Sequence, residues 1–297
     1  MTLDNKEAAH LAGFVQFAYN MFKTGGLLPV PDPGLDKEGY DLIYHLNALD
    51  FKEKRFYGYL AKSRNNPGEY VFVVRGTADF SEWLLDFAGL PVIFKPAPNA
   101  GFVALGFYSI FKTFELIDDK FQSSSLNDVV TKLSAGGGIK RFIVVGHSLG
   151  GALATLAAAQ LALNNPGGVQ DQLEVYTFGS PRVGLLDFAA SFNKAVKTSY
   201  RVWNALDVVP EVPTFPFIHV SGLGDTITQN EAQLTTLKPV PTCEHHVTTY
   251  QWLLDPDEFP LGPSCELAAA PAAFAFGEPD EQIIGAQALL KAYTGRV

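Results

Sequence analysis

The fold of this chain is decided by residues 142–163, which read FIVVGHSLGGALATLAAAQLAL. The run at residues 142–145 is apolar and largely β-branched, which is typical of a strand buried on both faces. From Gly151 onward the residues are rich in alanine and leucine and strongly favour a helix. Between them stands GHSLG, so the stretch predicts a strand that turns sharply into a helix at Ser148.

The turn carries the G-x-S-x-G pattern, which places a serine on a strained strand-to-helix turn. Gly146 and Gly150 let the strand and the helix approach each other closely. A phosphate-binding loop is disfavoured, because neither a G-K-[ST] ending nor a G-x-G-x-x-G pattern is present. We therefore predict that Ser148 is the nucleophile of a serine hydrolase. We interpret His147 as a buried structural histidine, because neighbouring side chains on a tight turn diverge.

The rest of the chain alternates strand-like and helix-like segments. Helices are predicted at residues 5–23, 106–121 and 281–292, and strands at residues 56–60, 70–74, 173–178 and 200–203. Such alternation is typical of an α/β fold with a mostly parallel central sheet and helices on both faces. No linker is long enough for a second domain, so we predict a single domain over residues 1–297. Residues 255–297 begin with a Pro- and Ala-rich irregular stretch that we expect to form a covering segment.

The charge balance restricts the partners. The formal net charge is −9 and the sequence pI is about 5.1. Phosphates attract basic faces, so we expect no nucleic-acid partner. Anionic lipid would not attract this chain electrostatically either, so any contact with a lipid–water interface would have to be apolar.

Neither a membrane span nor a leader is visible. No apolar run reaches the roughly 20 residues that cross a bilayer, so we expect no transmembrane segment. The start MTLDNKEAAH has early acidic residues and no charged region followed by an apolar one, so we expect no signal peptide. A cytoplasmic protein, export by another route and a mature extracellular form all stay open.

The chain contains two cysteines, Cys243 and Cys265. They could form one bridge that closes a short loop, or remain free thiols, and the sequence does not distinguish these. No Cys/His cluster has zinc spacing. The adjacent His245 and His246 do not both point at one metal from a regular element. We expect no metal and no other cofactor.

A serine hydroxyl needs a base, usually a histidine oriented by a buried carboxylate. In α/β-hydrolases the chain order is Ser, then Asp or Glu, then His. The histidines that follow Ser148 at a distance are His219, His245 and His246. Asp207 is the best carboxylate candidate, because it follows a predicted strand and stands between apolar residues. Asp187 and Asp225 compete with it.

Several separated motifs resemble the class 3, or fungal-type, lipases of the α/β-hydrolase superfamily. The resemblance runs from about residue 70 to residue 250. The segments that carry it are Trp83 and residues 74–77 (VRGT), 106–107 (GF), 146–151 (GHSLGG), 177–184 (TFGSPRVG) and 200–210 (YRVWNALDVVP). The resemblance implies an α/β-hydrolase fold and an ester-hydrolysing activity.

The resemblance also implies roles for single residues. Ser148 matches the nucleophile and Asp207 the triad aspartate. Thr77 matches the family's oxyanion-hole residue, and Leu149 follows the nucleophile. Their backbone N–H groups are expected to hold the oxyanion that forms during acyl transfer.

The base is expected in residues 244–253, which read EHHVTTYQWL. Many family members have a histidine five residues before a tyrosine, which selects His245 before Tyr250. The shorter spacing of fungal members would fall on Val247, so His246 stays an alternative base. His219 resembles a family histidine that is not the base, and we interpret it as structural.

Apolar residues after Thr77 follow a helical spacing. They are Phe80, Trp83, Leu84 and Phe87, at i, i+3, i+4 and i+7. A core-facing helix is the commoner meaning of this pattern, but the resemblance implies a lid just after the oxyanion residue. We expect a helical lid over residues 79–95.

The resemblance points to a lipase or related carboxylic-ester hydrolase that acts on acylglycerols or similar lipid esters. A feruloyl or aryl esterase and a phospholipase A would use the same triad. A binding protein on a hydrolase fold is the further alternative, since fold alone does not imply function.

Overall fold

The computed structural model describes residues 3–50, 53–77, 90–220, 241–261 and 265. The helices are α1 (Asn5–Thr24), α2 (Pro33–Lys37), α3 (Leu105–Phe111), α4 (Leu126–Ser134), α5 (Leu149–Asn164), α6 (Leu186–Ala195), α7 (Pro241–Glu244) and α8 (Val247–Leu254). The strands are β1 (Tyr40–Asp50), β2 (Glu53–Ser63), β3 (Glu69–Val74), β4 (Pro91–Ile93), β5 (Phe102–Ala104), β6 (Glu115–Ile117), β7 (Ser123–Ser124), β8 (Arg141–His147), β9 (Leu173–Phe178) and β10 (Thr198–Val202). Short 3-10 helices lie at Pro98–Ala100, Ala135–Gly137, Pro166–Gln172 and Val209–Glu211.

The main sheet has the strand order β10-β9-β8-β3-β2-β1-β6-β7. Strands β3, β8, β9 and β10 are parallel to one another. Strands β2, β1, β6 and β7 extend the sheet by antiparallel pairing, beginning with β2 against β3. The predicted parallel arrangement therefore holds in the part of the sheet that carries the G-x-S-x-G turn.

Helices cover both faces of this sheet, as predicted. Alternate side chains of a strand point to opposite faces, and β3 shows this directly. Phe72 and Val74 belong to one apolar cluster, which includes buried residues of α3, α4, α5 and α6. Val71 and Val73 belong to a second cluster, which includes α1 and α8. A strand buried on both sides explains why β3 and β8 read as continuous apolar runs.

Local signals in the sequence set the ends of the predicted helices. Asp4 caps α1, where its side chain accepts hydrogen bonds from the N–H groups of Lys6 and Glu7, and Gly25 ends that helix at a φ of 85°. Asn165 ends α5 in the left-handed conformation at a φ of 46°. The helices predicted at residues 5–23 and from Gly151 are thus confirmed.

The helix predicted over residues 106–121 is wrong in its second half. Helix α3 ends at Phe111, and residues Glu115–Ile117 form β6, which pairs with β1. The Thr113 hydroxyl donates to the carbonyl of Ile110 at 2.6 Å and accepts the N–H of Leu49 at 2.8 Å. The chain therefore leaves the helix because β1, which is distant in sequence, offers it a strand partner.

The predicted lid, residues 79–95, lies mostly outside the described residues, and so do Phe80, Trp83, Leu84 and Phe87. The part that is described is not helical. Residues Pro91–Ile93 form β4, which pairs with β5, and Phe94 is fully buried. Two features fix the end of the predicted lid to the core. One is the β4–β5 hairpin, and the other is the packing of Phe94 against Phe111 and Phe188.

The C-terminal region is described only through Leu261 and at Cys265. The helix predicted at residues 281–292 lies outside this part, and the single domain stays a prediction. Cys243 and Cys265 are bridged, which resolves the choice that the sequence left open. Among the described helices, none combines the length and apolar character of a membrane span.

Candidate active site

Ser148 stands at the tight turn between β8 and α5, with φ 60° and ψ −133°. This backbone region is unfavourable for residues other than glycine. The flanking glycines make the turn possible. A Cβ on Gly146 would lie 2.2 Å from the carbonyl oxygen of Gly150, and one on Gly150 would lie 2.3 Å from that of Val74. The predicted close approach of strand and helix is therefore present at Ser148.

The structure brings Ser148, His245 and Asp207 together. The Ser148 hydroxyl lies 2.7 Å from Nε2 of His245, and Nδ1 of His245 lies 2.7 Å from Oδ2 of Asp207. An ionised aspartate only accepts, so Nδ1–H donates to Asp207 and Nε2 is left to accept the serine proton. The Asp207 side chain is fully buried, and the other two residues are nearly so. This geometry suits proton transfer from the serine hydroxyl to the imidazole.

Asp207 is held by further donors. Its Oδ1 accepts the N–H of Val209 at 2.9 Å, and its Oδ2 accepts the hydroxyl of Tyr250 at 2.6 Å. The Tyr250 oxygen in turn accepts the N–H of Asn204 at 3.1 Å. Burial, followed by the nearby Asp207 charge, raises the pKa of Tyr250 well above its usual value, so the phenol keeps its proton. Tyr250 therefore acts as a permanent donor to the carboxylate.

His147 is a buried structural histidine, as expected. Its Nε2–H donates to the carbonyl of His245 at 2.6 Å, and its Nδ1 accepts the Tyr19 hydroxyl at 2.9 Å. The rings of His147 and His245 lie 4.6 Å apart between centroids. Burial and the neighbouring His245 lower the pKa of His147 far below its ordinary value. A neutral His147 therefore supports the backbone of His245.

The two candidate oxyanion residues, Thr77 and Leu149, belong to backbone segments that meet near Ser148. Leu149 is the first residue of α5, where N–H groups have no acceptor within the helix and the helix dipole is positive. The backbone just before Thr77 is also close, because a Cβ on Gly76 would lie 2.7 Å from the Cβ of Ser148. The Gly76 N–H donates to the Tyr19 hydroxyl at 3.0 Å, which ties this loop to α1. Both candidate oxyanion residues thus belong to segments close to the serine.

Arg75 also holds the loop that contains Gly76 and Thr77. Its side chain is 2% exposed and donates to the carbonyls of Phe56 and Gly76 at 2.8 and 2.6 Å. The guanidinium also lies 3.6 Å from the ring centroid of Phe22 and 4.8 Å from that of Tyr57. Burial lowers the pKa of Arg75 to about 10, which leaves it charged at neutral pH. A buried cation therefore stands beneath the loop that leads to Thr77.

The alternative candidates lie elsewhere. His246 caps α8, where its Nδ1 contacts the Thr248 hydroxyl at 2.8 Å. His219 donates from Nε2 to the carbonyl of Pro210 at 2.6 Å, and burial lowers its pKa to about 3. Asp187 accepts the N–H of Phe188 at 2.8 Å at the start of α6. Asp225 lies outside the described residues.

Within the described ranges, no cluster of three or more His, Cys, Asp or Glu side chains could hold a metal ion. The side chains of Ser148, His245 and Asp207 do converge, and they are joined by hydrogen bonds between Ser148 and His245 and between His245 and Asp207. This arrangement can activate the Ser148 hydroxyl as a nucleophile.

Some residues of the site were missed by sequence reasoning. The sequence motif identifies Tyr250 only as the tyrosine that follows the predicted base, and it places Tyr19 only within a predicted helix. Gly179 has a φ of 54°, and a Cβ there would lie 2.8 Å from Oδ2 of Asp207 and 3.2 Å from Cε1 of His245. Its place in the TFGSPRVG motif was the available signal. No local sequence signal identifies Tyr19 or Tyr250 as part of the site, because their hydrogen-bond partners lie far away in the chain.

Comparison with known proteins agrees with this geometry. The profile of the family described as Lipase (class 3) matches residues 71–217. The chain belongs to the class 3 lipase family. It is 30% identical over 202 residues to a lipase of Rhizopus niveus, which covers 67% of this chain and 49% of that protein. It is also 30% identical over 149 residues to the secreted mono- and diacylglycerol lipase 1 of Fusarium solani, covering 50% of this chain and 40% of that protein.

The chain thus spans half or less of the length of these lipase relatives. Among solved structures, the lipase from Rhizopus microsporus var. chinensis aligns with a TM-score of 0.59 at 25% identity. That alignment covers 75% of this chain and 74% of the other. The class 3 lipase member described here therefore has the α/β-hydrolase fold.

Proposed function

We propose that this class 3 lipase family member hydrolyses carboxylic esters of acylglycerols or related lipids through a covalent acyl-enzyme. The observation that carries the proposal is the continuous hydrogen-bonded line from Ser148 through His245 to Asp207, with 2.7 Å at each step. The relatives named as lipases support the substrate class. The intact triad weighs against a binding protein that has lost catalysis.

The proposed steps follow from the geometry. Ser148 attacks the ester carbonyl while its proton passes to Nε2 of His245, and Asp207 stabilises the imidazolium. The N–H groups of Thr77 and Leu149 hold the oxyanion. His245 then gives its proton to the leaving alcohol, and a water molecule, activated by the same base, releases the carboxylic acid from Ser148.

The lid and the interface belong to the same proposal. We expect residues 79–95 to form an apolar lid that covers the site in water and opens on lipid. Contact with a lipid–water interface would be apolar, and Leu90 is already 68% exposed. Hydrolysis of an emulsified triglyceride should rise above the rate on monomeric substrate when droplets appear, and an unchanged rate would remove the lid from the proposal.

The test is an assay of wild type and Ser148→Ala against p-nitrophenyl esters from acetate to palmitate. Wild type should be active and the variant should lose activity by up to ~10⁶-fold. Ser124→Ala, which removes a hydroxyl from β7, is the matched control and should retain full activity. Inactivity of wild type on every ester, or full activity of Ser148→Ala, would refute the proposed function.

The same assay separates a second candidate. A phospholipase A1-II 7 of Oryza sativa subsp. indica is 29% identical over 247 residues, covering 72% of this chain and 58% of that protein. Phosphatidylcholine therefore belongs in the substrate panel, together with a small feruloyl ester. Preference for either of these over triacylglycerol would redirect the substrate class while leaving the triad in place.

A further inference from the structure

The turn that carries His245 is short and tightly folded. It joins α7 (Pro241–Glu244) to α8 (Val247–Leu254). The carbonyl of Cys243 accepts the N–H of His246 at 3.2 Å and the hydroxyl of Thr249 at 2.6 Å. These bonds fold the chain back around His245, so the position of its backbone depends on the position of Cys243.

Cys243 is in turn bonded covalently to Cys265. Both sulfurs and Thr249 belong to residues with no exposed surface. The Thr249 Oγ1 lies 3.3 Å from Sγ of Cys265, so this one hydroxyl touches both sides of the bridge. Trp252 and Leu261 pack against the cysteine pair. The bridge and Thr249 thus form one buried unit, which we call the cystine anchor.

The same turn is also held by polar contacts from residues at the end of β8 and just after β10. His147 donates to the carbonyl of His245 at 2.6 Å, and the Asn204 amide donates to the carbonyl of Glu244 at 3.0 Å. The cystine anchor acts on the same turn through Cys243. His245 is therefore held by two separate sets of contacts, as a precisely oriented base requires.

Accurate placement matters because His245 makes hydrogen bonds to both Ser148 and Asp207 at 2.7 Å. A displacement of about 1 Å can cost ~10²-fold in rate even when it arises outside the reacting groups. We propose that the cystine anchor, Cys243–Cys265 with Thr249, positions the base and makes the activity of this protein depend on the oxidation state of the bridge. The inference rests on the proposed function.

The redox step is ordinary thiol–disulfide exchange. Dithiothreitol supplies two electrons and two protons, the Sγ–Sγ bond breaks, and Cys243 and Cys265 become thiols while dithiothreitol closes to its cyclic disulfide. Because these are the two cysteines of the chain, every thiol that appears reports on this bridge. Reoxidation reverses the change.

The first experiment follows activity and thiol content together during incubation of the full chain with dithiothreitol. Oxidised dithiothreitol at the same concentration is the control. As thiols appear, kcat should fall by ~10- to 10²-fold while KM changes by less than about 2-fold, and reoxidation should restore kcat. Complete thiol release with unchanged kcat would overturn the inference. An oxidised wild type that hydrolyses no ester would instead refute the proposed function.

The second experiment keeps the bridge and removes one hydroxyl, so it tests the positioning of the base by the cystine anchor even if the reduced chain unfolds. Thr249→Val should lower kcat by about 10-fold at nearly constant KM, and Thr249→Ser should recover it to within about 2-fold. Thr113→Val is the matched control, because it loses a 2.6 Å hydroxyl bond far from His245 in sequence and next to β1. A merely structural role would lower Tm in Thr249→Val and leave kcat and the pH profile of kcat/KM unchanged.

Discussion

The two halves of the sheet carry very different polar residues. In the parallel half, the ends of β3, β8 and β9 lead to Arg75, Ser148 and Gly179, and the chain after β10 leads to Asp207. All of these are buried. In the antiparallel half, the ion pairs of Arg64 and Lys54 are exposed.

The difference follows from the direction of the strands in each half of the sheet. Parallel strands deliver all their carboxyl ends to one edge, so side chains that are distant in sequence meet there. Antiparallel strands place consecutive ends on opposite edges and cannot collect them. The parallel half therefore brings buried side chains such as Ser148 and Asp207 together, whereas exposed ion pairs such as Lys54–Glu115 contribute about 0–1 kcal/mol of stability.

The largest expected difference between a site residue and its control is at the proposed base, His245. His245→Ala should lower kcat by ~10⁵–10⁶-fold, because Ser148 loses its proton acceptor. His246→Ala should keep kcat within about 3-fold and cost about 1 kcal/mol of stability through the lost cap of α8. Ester hydrolysis and thermal unfolding measure both effects, and equal losses of kcat in the two variants would contradict the assignment of the base.

The carboxylate gives the next largest effect. Asp207→Asn should lower kcat by ~10⁴-fold, because the amide no longer selects the imidazole tautomer that accepts from Ser148. Asp41→Asn, in β1, removes an exposed partner of Arg64 and serves as the matched control. Its kcat should equal that of wild type. A strong loss in Asp41→Asn would mean that the antiparallel half takes part in catalysis.

Tyr250, which contacts Asp207, and Tyr40, which lies in β1, allow a second comparison of the two halves of the sheet. Tyr250→Phe should lower kcat by about 10-fold, since the buried Asp207 loses a donor at 2.6 Å. Tyr40→Phe, which removes the bond from β1 to Glu69, should lower Tm and leave kcat unchanged. Steady-state kinetics and melting curves of both variants decide this, and the prediction fails if Tyr250→Phe keeps full kcat.

The smallest effect concerns Glu244, which lies beside the triad. Burial and the nearby Asp207 charge raise the pKa of Glu244 from 4.5 to about 7. The native state therefore binds more protons than the unfolded state between these values, so stability falls as the pH rises from about 5 to about 7. Glu244→Gln stays neutral and should gain stability over wild type across this window, reaching about 1 kcal/mol after allowance for solvent screening, or roughly 2–4 °C in Tm.

The matched control for this prediction is Glu115→Gln in β6, where the carboxylate is exposed beside Lys54. Melting curves of wild type and both variants between pH 5 and pH 8 provide the measurement. A Tm difference between Glu244→Gln and wild type that does not change with pH would show that the Glu244 carboxylate does not titrate in this window.

Much of the site was predictable because its signals are local. The elbow around Ser148 needs small residues at fixed spacing, and the motif around Asp207 follows a strand directly. Prediction failed where the partner is remote. Residues 106–121 have helical character, but Glu115–Ile117 form a strand that pairs with β1. No local pattern reveals that competition, because strand pairing depends on chain segments about 70 residues apart.

The sequence by itself predicted Ser148 as the nucleophile, the chain order of the proposed triad and the two-faced burial of β3 and β8, since these predictions follow from residue type and spacing. Only the tertiary structure shows that His245, and not His246, lies within hydrogen-bond distance of Ser148 and Asp207, because adjacent side chains diverge and their direction depends on how α7 and α8 pack. The tertiary structure likewise joined Cys243 to Cys265, and it brought Tyr250 to Asp207 and Tyr19 to His147. Such contacts depend on distances across the fold that no linear pattern encodes.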